Sequence, residues 1–211
     1  MIIDILRATS TICTALSHGV EKVIPVSELD ECRSFEGEQF LLAAERNGLK
    51  PDGFSFGNSP YDYMGENVAG KTLVLTTSNG TRAANMASKA AQVLIGSFLN
   101  LDTVADYLAK QSNDCLLFCA GWKGGFSMED TLFAGALVEM LNETYEVEDD
   151  AALAAMWLYQ SKKEALFEAM RSSSHFNRLA GHGIEKDIKF CLTLNEFNIL
   201  PVLKGKEIVT I

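Results

Sequence analysis

Short apolar runs rich in β-branched residues alternate with helical segments along most of the chain, and this rhythm constrains the fold more than any other feature. KVIPV, EQFLLA, KTLVLTT, QVLIGS and DCLLFCAG read as strands, and Met1 to Asp4 as the end of another. Between them SELDECRSF, LDTVADYLAKQ and SMEDTLFAGALVEMLNE carry helical spacing or helical end signals, and a further helix is expected from about Asn79 to Lys89. TSTICTALSHG reads as a helix capped by Thr9 or Ser10 and ended by Gly19. Residues 146–172 are expected to hold an amphipathic helix whose Met156, Trp157, Tyr159, Phe167 and Met170 face the core.

Such alternation predicts three α/β/α layers: a largely parallel, mixed sheet with helices on both faces. ILPVLKGKEIVTI would add an antiparallel C-terminal edge. A chain of 211 residues, 47% of them hydrophobic, can bury roughly 70% of its unfolded surface in one core. A single domain over residues 1–211 is expected.

Residues 65–72, GENVAGKT, fit the phosphate-loop pattern G-x-x-x-x-G-K-[ST]. That loop works when a strand delivers it and a helix follows, so that backbone amides converge on the phosphates. Here no apolar run precedes it, and the strand-like TLVLTT follows. The pattern is expected to be a turn that feeds a buried strand.

A formal charge of −10 would repel nucleic acid and acidic membrane surfaces, so an anionic ligand needs local cations. The five cysteines, at 13, 32, 115, 119 and 191, are odd in number and lack C-x-x-C spacing. They suggest neither a disulfide framework nor a zinc site, and a reducing cytoplasm fits them. No apolar run approaches the roughly 20 residues that cross a bilayer. The expected partner is a small anionic phosphorylated substrate, with a homodimer kept open.

Chemistry-bearing side chains gather where strands end: Asp4, Arg7, Thr9 and Ser10; Glu45; Thr77, Asn79, Gly80, Thr81 and Arg82; and Cys119, followed by Glu129 and Asp130. In open α/β sheets ligands bind at that carboxyl edge. TTSNGTRAA has the parts of an anion cradle, and ILRATST repeats its logic with Arg7. Glu45 directly follows FLLAA, where a charge needs a cation for company. Carboxylates plus substrate phosphate are how Mg²⁺ is usually held, so magnesium is the expected metal. Cys119 reads either as a nucleophile or as a small buried hydrophobe.

IDILRATST, AERNGLKPDGFSFGNSP, LTTSNGTRA, IGSFLN, CAGWKGGFSMEDTLFAG and DIKFCL follow one another between about Ile3 and Val202. With these motifs the chain resembles the 2-phosphosulfolactate phosphatases, the ComB family. The resemblance implies a ComB-like α/β fold and Mg²⁺-dependent hydrolysis of 2-phospho-3-sulfolactate to 3-sulfolactate and phosphate, a step toward coenzyme M. On that reading Glu45, Glu129 and Asp130 hold Mg²⁺, directly or through water. Arg7, Thr9, Ser10, Thr77, Arg82 and the Asn79-Gly80-Thr81 turn hold phosphate. Lys123 or Arg178 meets the sulfonate or carboxylate. Asp4 ligates the metal or activates the nucleophile; a phosphoenzyme would form through Asp4 or Cys119, and otherwise water attacks directly. An N-terminal strand usual in the family is expected to be absent. The rival readings are a phosphatase of another small acid on the same scaffold, and a non-catalytic anion-binding module.

Overall fold

The computed structural model describes residues 1–87, 89–180 and 184–211, with all their side chains except those of residues 81, 84, 85, 179 and 180. Its strands are β1 Ile2–Ile3, β2 Lys22–Pro25, β3 Phe40–Ala44, β4 Thr72–Thr76, β5 Val93–Gly96, β6 Phe118–Cys119, β7 Pro201–Lys204 and β8 Glu207–Thr210. They form one sheet in the order β3-β4-β2-β8-β7-β5-β1-β6. β4 is parallel to β3 and β2, and β1 is parallel to β5 and β6. The three-layer, mixed α/β architecture is as expected.

The C-terminal hairpin, expected at an edge, instead lies inside the sheet. β8 pairs antiparallel with β2, and β7 pairs antiparallel with β5. The turn dictates only that β7 and β8 pair with each other; their outer partners are a tertiary matter. Three antiparallel steps separate β2 from β5, so the two parallel sets run in opposite senses.

Helices are α1 Ala8–Ser17, α2 Leu29–Arg33, α3 Gly80–Met86, α4 Leu101–Leu108, α5 Met128–Leu141, α6 Asp150–Lys162, α7 Leu166–Met170, α8 Ser174–Ala180 and α9 Glu185–Cys191. The period-two side-chain alternation of the strands divides them between the faces. Leu73 and Leu75 of β4 pack with Ile12, Ala15 and Leu16 of α1. Val74, between them, packs with Cys32 of α2 and with Phe54. Ile2 likewise joins the α1 cluster, while Ile3 joins Val104 of α4 and Leu132, Phe133 and Leu137 of α5. Leu73 is fully buried, and truncating it to Ala would cost about 2–5 kcal/mol.

Local expectations were met unevenly. GENVAGKT contains a 3₁₀ turn, Glu66–Val68, and then leads into β4; the Lys71 ammonium donates to the Glu38 carbonyl. It is a turn before a strand. Thr9 and Ser10 do not cap α1: they lie within it, and Arg7 is the N-cap. Only Phe118 and Cys119 of DCLLFCAG form a strand, because β1 offers just Ile2 and Ile3 for pairing. The expected 146–172 helix is broken by a 3₁₀ turn at Lys163–Ala165. Within it Tyr159 and Met170 are buried, whereas Trp157 is 61% exposed. No helix among the described residues is long and apolar enough to cross a membrane.

Candidate active site

A cavity of about 330 Å³ opens where strand ends from both parallel sets meet. Asp4, Leu6 and Arg7 follow β1; Glu45, Asn47 and Gly48 follow β3; Ser78 and Asn79 follow β4; Trp122 follows β6. Asn58 enters from the loop before β4, and His175 and Arg178 from α8. The site is therefore not one edge of a parallel sheet but a junction between two opposed sets.

At one end the cavity wall is acidic through Asp4 and Glu45, while Glu129 and Asp130, expected in the site, are buried behind that wall and do not line it. The Asp4 Oδ1 accepts the Ala8 amide at 3.3 Å, supplying the first turn of α1 with an acceptor from upstream. Asp130, in the first turn of α5, accepts the Ile5 amide at Oδ1 (2.9 Å) and the Gly121 amide at Oδ2 (3.1 Å). One carboxylate thereby clasps the loops after β1 and β6. Glu129 hydrogen-bonds the His175 Nδ1 through Oε1, while its buried Oε2 has no partner among the described residues. The Ser127 hydroxyl caps α5 by accepting the Asp130 amide.

The charges of this group oppose one another. Burial, with help from the charges of Glu45 and Glu129, pushes Asp4 up to about 6. Burial and the charges of Asp4 and Glu129 hold Asp130 well above the usual carboxylate range. Burial also acts to raise Glu129, but the hydrogen bond and charge of His175 outweigh it and the net shift is down.

Arg7 stands between two elements. Its Nη1 donates to Asp187 of α9 at 2.5 Å and its Nη2 to the Gly48 carbonyl at 3.1 Å. Gly48 in turn donates its amide to the Glu45 Oε1 at 2.6 Å. A guanidinium has five N–H donors, so Arg7 retains others for the cavity.

The other end is aromatic and cationic. The Arg178 guanidinium lies 3.8 Å from the centroid of the Trp122 indole, and the Lys123 ammonium 4.6 Å from the same ring. Arg178 lines the cavity; Lys123 does not, and its amide donates to the Asn79 Oδ1.

The remaining predicted residues divide clearly. The Thr9 hydroxyl serves the Asp4 backbone, and the Ser10 hydroxyl donates to the Ile5 carbonyl and pairs with Ser97. Thr77 is buried and Arg82 exposed, and neither lines the cavity. The Thr81 side chain lies outside the described residues. Gly80 sits against the start of α1: a Cβ there would stand 2.7 Å from the Ala8 Cβ and 3.1 Å from the Asp4 Oδ2. Only glycine allows α3 to begin so close. Cys119 is pushed up to about 12 by burial, with the charges of Asp130 and Glu129 adding to it, so its thiol is neutral at pH 7.

Trp122, His175, Asn47, Asn58 and Asp187 were not anticipated as site residues. His175 and Arg178 are neighbours on one helix, but nothing in the sequence tells that α8 packs over the acidic loops. Trp122 was the most accessible signal, an aromatic between a strand end and a glycine turn.

A divalent cation fits the acidic end. A buried carboxylate oxygen without a partner among the described residues, beside further carboxylates, is a hard donor lacking a charge to serve. No group of three His, Cys, Asp or Glu among the described residues is arranged to hold an ion.

The family model described as 2-phosphosulpholactate phosphatase matches residues 1–206. A Caldanaerobacter subterraneus subsp. tengcongensis protein named "Probable 2-phosphosulfolactate phosphatase" is 44% identical over 210 residues, covering 97% of this chain and 87% of that protein. A Thermotoga maritima protein of the same name is 45% identical over 203 residues, covering 96% and 88%. A Clostridium perfringens (strain SM101 / Type A) protein, again of that name, is 41% identical over 220 residues, covering 100% and 88%. The matched residues include every loop that lines the cavity, and the chain belongs to the 2-phosphosulpholactate phosphatase family.

Proposed function

We propose that the protein is a Mg²⁺-dependent phosphatase that hydrolyses 2-phospho-3-sulfolactate to 3-sulfolactate and phosphate, a step toward coenzyme M. The observation that carries this reading is a cavity lined by Asp4, Glu45 and two arginines, with Glu129 buried behind its wall residue His175 and carrying an Oε2 that has no partner among the described residues. Rate enhancements for phosphate monoester hydrolysis reach ~10²¹, whereas a helix terminus supplies at most about 2 kcal/mol. Helix ends alone cannot be the mechanism. Glu129 and Glu45, whose charges both act on Asp4, would hold Mg²⁺, which when bound polarises phosphoryl oxygens and offsets their charge.

The chain's own groups do the rest. Arg7, fixed by Asp187 and Gly48, directs its remaining donors to the phosphate. Asp4, on the cavity with Oδ1 held by the Ala8 amide, takes the proton of the attacking water at Oδ2. Asp130 positions the Ile5 and Gly121 amides and thus the loops that carry Asp4 and Trp122. Arg178 meets the sulfonate. A neutral, off-cavity Cys119 is not the nucleophile.

The test is phosphate release from 2-phosphosulfolactate and from an aryl phosphate, with Mg²⁺ and with chelator. Metal-dependent release that favours the sulfonated substrate is expected. Binding of phosphate without turnover of either substrate would reduce the protein to an anion-binding module.

A further inference from the structure

The two cavity arginines are held in different ways. Arg7 is neutralised by Asp187. Arg178 has no carboxylate partner among the described residues; its contacts are the Ser174 hydroxyl at 3.3 Å and the face of Trp122. Its charge is therefore available to an anion, and the indole determines where that charge sits.

The indole is itself firmly placed. The Trp122 amide donates to the Gly125 carbonyl at 3.2 Å and the Gly125 amide to the Trp122 carbonyl at 2.9 Å. The enclosed residues, Lys123 and Gly124, have φ of +51° and +80°, as a tight two-residue turn of the primed type requires. Gly121, at φ +64°, has its amide held by Asp130, and the Lys123 amide is held by Asn79. Added at Gly121, a Cβ would collide with the Gly125 carbonyl. The ring thus sits on a turn pinned from α5 and from the loop after β4.

We infer that Trp122 is a specificity-determining residue, whose indole face fixes the Arg178 guanidinium so that the site selects phosphorylated acids bearing a second, permanently ionised tetrahedral group. This rests on the substrate reading proposed above. A guanidinium stacked on an indole loses freedom and water on one face, while its in-plane N–H donors stay available. Two of those donors can engage two oxygens of a sulfonate at once. A Leu in place of Trp122 would leave Arg178 charged but unoriented.

The experiment compares kcat/KM for 2-phosphosulfolactate, 2-phospholactate and an aryl phosphate in the wild type, Trp122→Leu and Trp122→Phe. Trp122→Leu should lower the preference for the sulfonated substrate about tenfold, mostly through KM. Aryl phosphate, which has no second anionic group for Arg178 to meet, should lose less kcat/KM than the sulfonated substrate. Trp122→Phe, which keeps an aromatic face, should restore most of the preference. Equal loss on all three substrates, or a preference that survives Trp122→Leu, overturns the inference alone. A wild type without preference for the sulfonated substrate overturns the substrate reading as well. A second measurement leaves the site intact: the chain has two tryptophans, so Trp157→Phe makes Trp122 the sole indole reporter. Its fluorescence should change saturably with 3-sulfolactate and not with lactate. No response to 3-sulfolactate at saturating concentration counts against a Trp122 role.

Discussion

The two ends of the cavity are built by opposite means. The acidic end has Asp4 on its wall and Glu129 and Asp130 buried behind it, with Asp4 and Asp130 tied to backbone amides of Ala8, Ile5 and Gly121. Its charges repel, so it is ordered at the expense of stability. The cationic end sits on a short turn, where Arg178 is half-buried and placed by stacking on Trp122. The contrast separates two tasks: stabilising a transition state requires fixed, dehydrated charge, whereas choosing a substrate requires an oriented charge still open to a ligand.

The largest expected effect would break the acidic end. Glu129→Gln removes a negative charge while keeping shape, and should lower kcat by about 10²–10³, with a raised Mg²⁺ requirement in an activity titration. Unchanged turnover and metal midpoint would assign Glu129 a purely structural role beside His175.

Asp4→Asn should expose the stability cost of that end. Burial lifts Asp4 from 3.8 to about 6, so the folded protein holds this proton more tightly than the unfolded chain. The stability it contributes is present below about pH 4 and is lost as pH rises through about 6. Metal-free Asp4→Asn should therefore be more stable than wild type at pH 7–8, by up to about 3 kcal/mol, with the difference vanishing below about pH 4. Denaturant melts across that range measure it, and a less stable variant at pH 8 would contradict the assigned strain.

At the cationic end, Arg178→Ala should raise KM for the sulfonated substrate about tenfold or more and leave the Mg²⁺ midpoint unchanged. A shifted metal midpoint would mean that the two ends are not separate. The smallest effect belongs to the phosphate-loop look-alike: Lys71→Ala should alter turnover by less than about twofold, because its ammonium is engaged by the Glu38 carbonyl, away from the cavity. A large loss in a folded protein would reopen a nucleotide role for residues 65–72.

Much of the fold was legible because strand and helix periods are local. β4 and α5 announce themselves through TLVLT and MEDTLFAGALVEML, and the tight alternation of Leu73, Val74 and Leu75 predicts a strand covered on both faces. The acidic residues and Arg7 were also legible, since charge next to buried runs is costly without a purpose. Thr9 and Ser10 misled because hydroxyls before an apolar stretch look like caps, whereas here Asp4 reaches forward to the Ala8 amide and the helix starts earlier. Asp130, grouped in the sequence with Glu129 as a metal-binding candidate, has both oxygens engaged by backbone amides from loops more than a hundred residues and nine residues away.

By itself, the sequence determined the α/β class, the positions of most strands and helices, the strand character of residues 72–76 behind a false phosphate loop, and the set of charged residues from which a site could be made. These depend on side-chain period, turn chemistry and the cost of burying charge, all readable within a few neighbours. Only the tertiary structure decided that the C-terminal hairpin lies between two opposed parallel sets, that α9 supplies Asp187 to Arg7, and that α8 brings His175 to Glu129 and Arg178 to Trp122. Those contacts join residues far apart in the chain, and which of many compatible partners meet is set by how whole elements pack, not by any local preference.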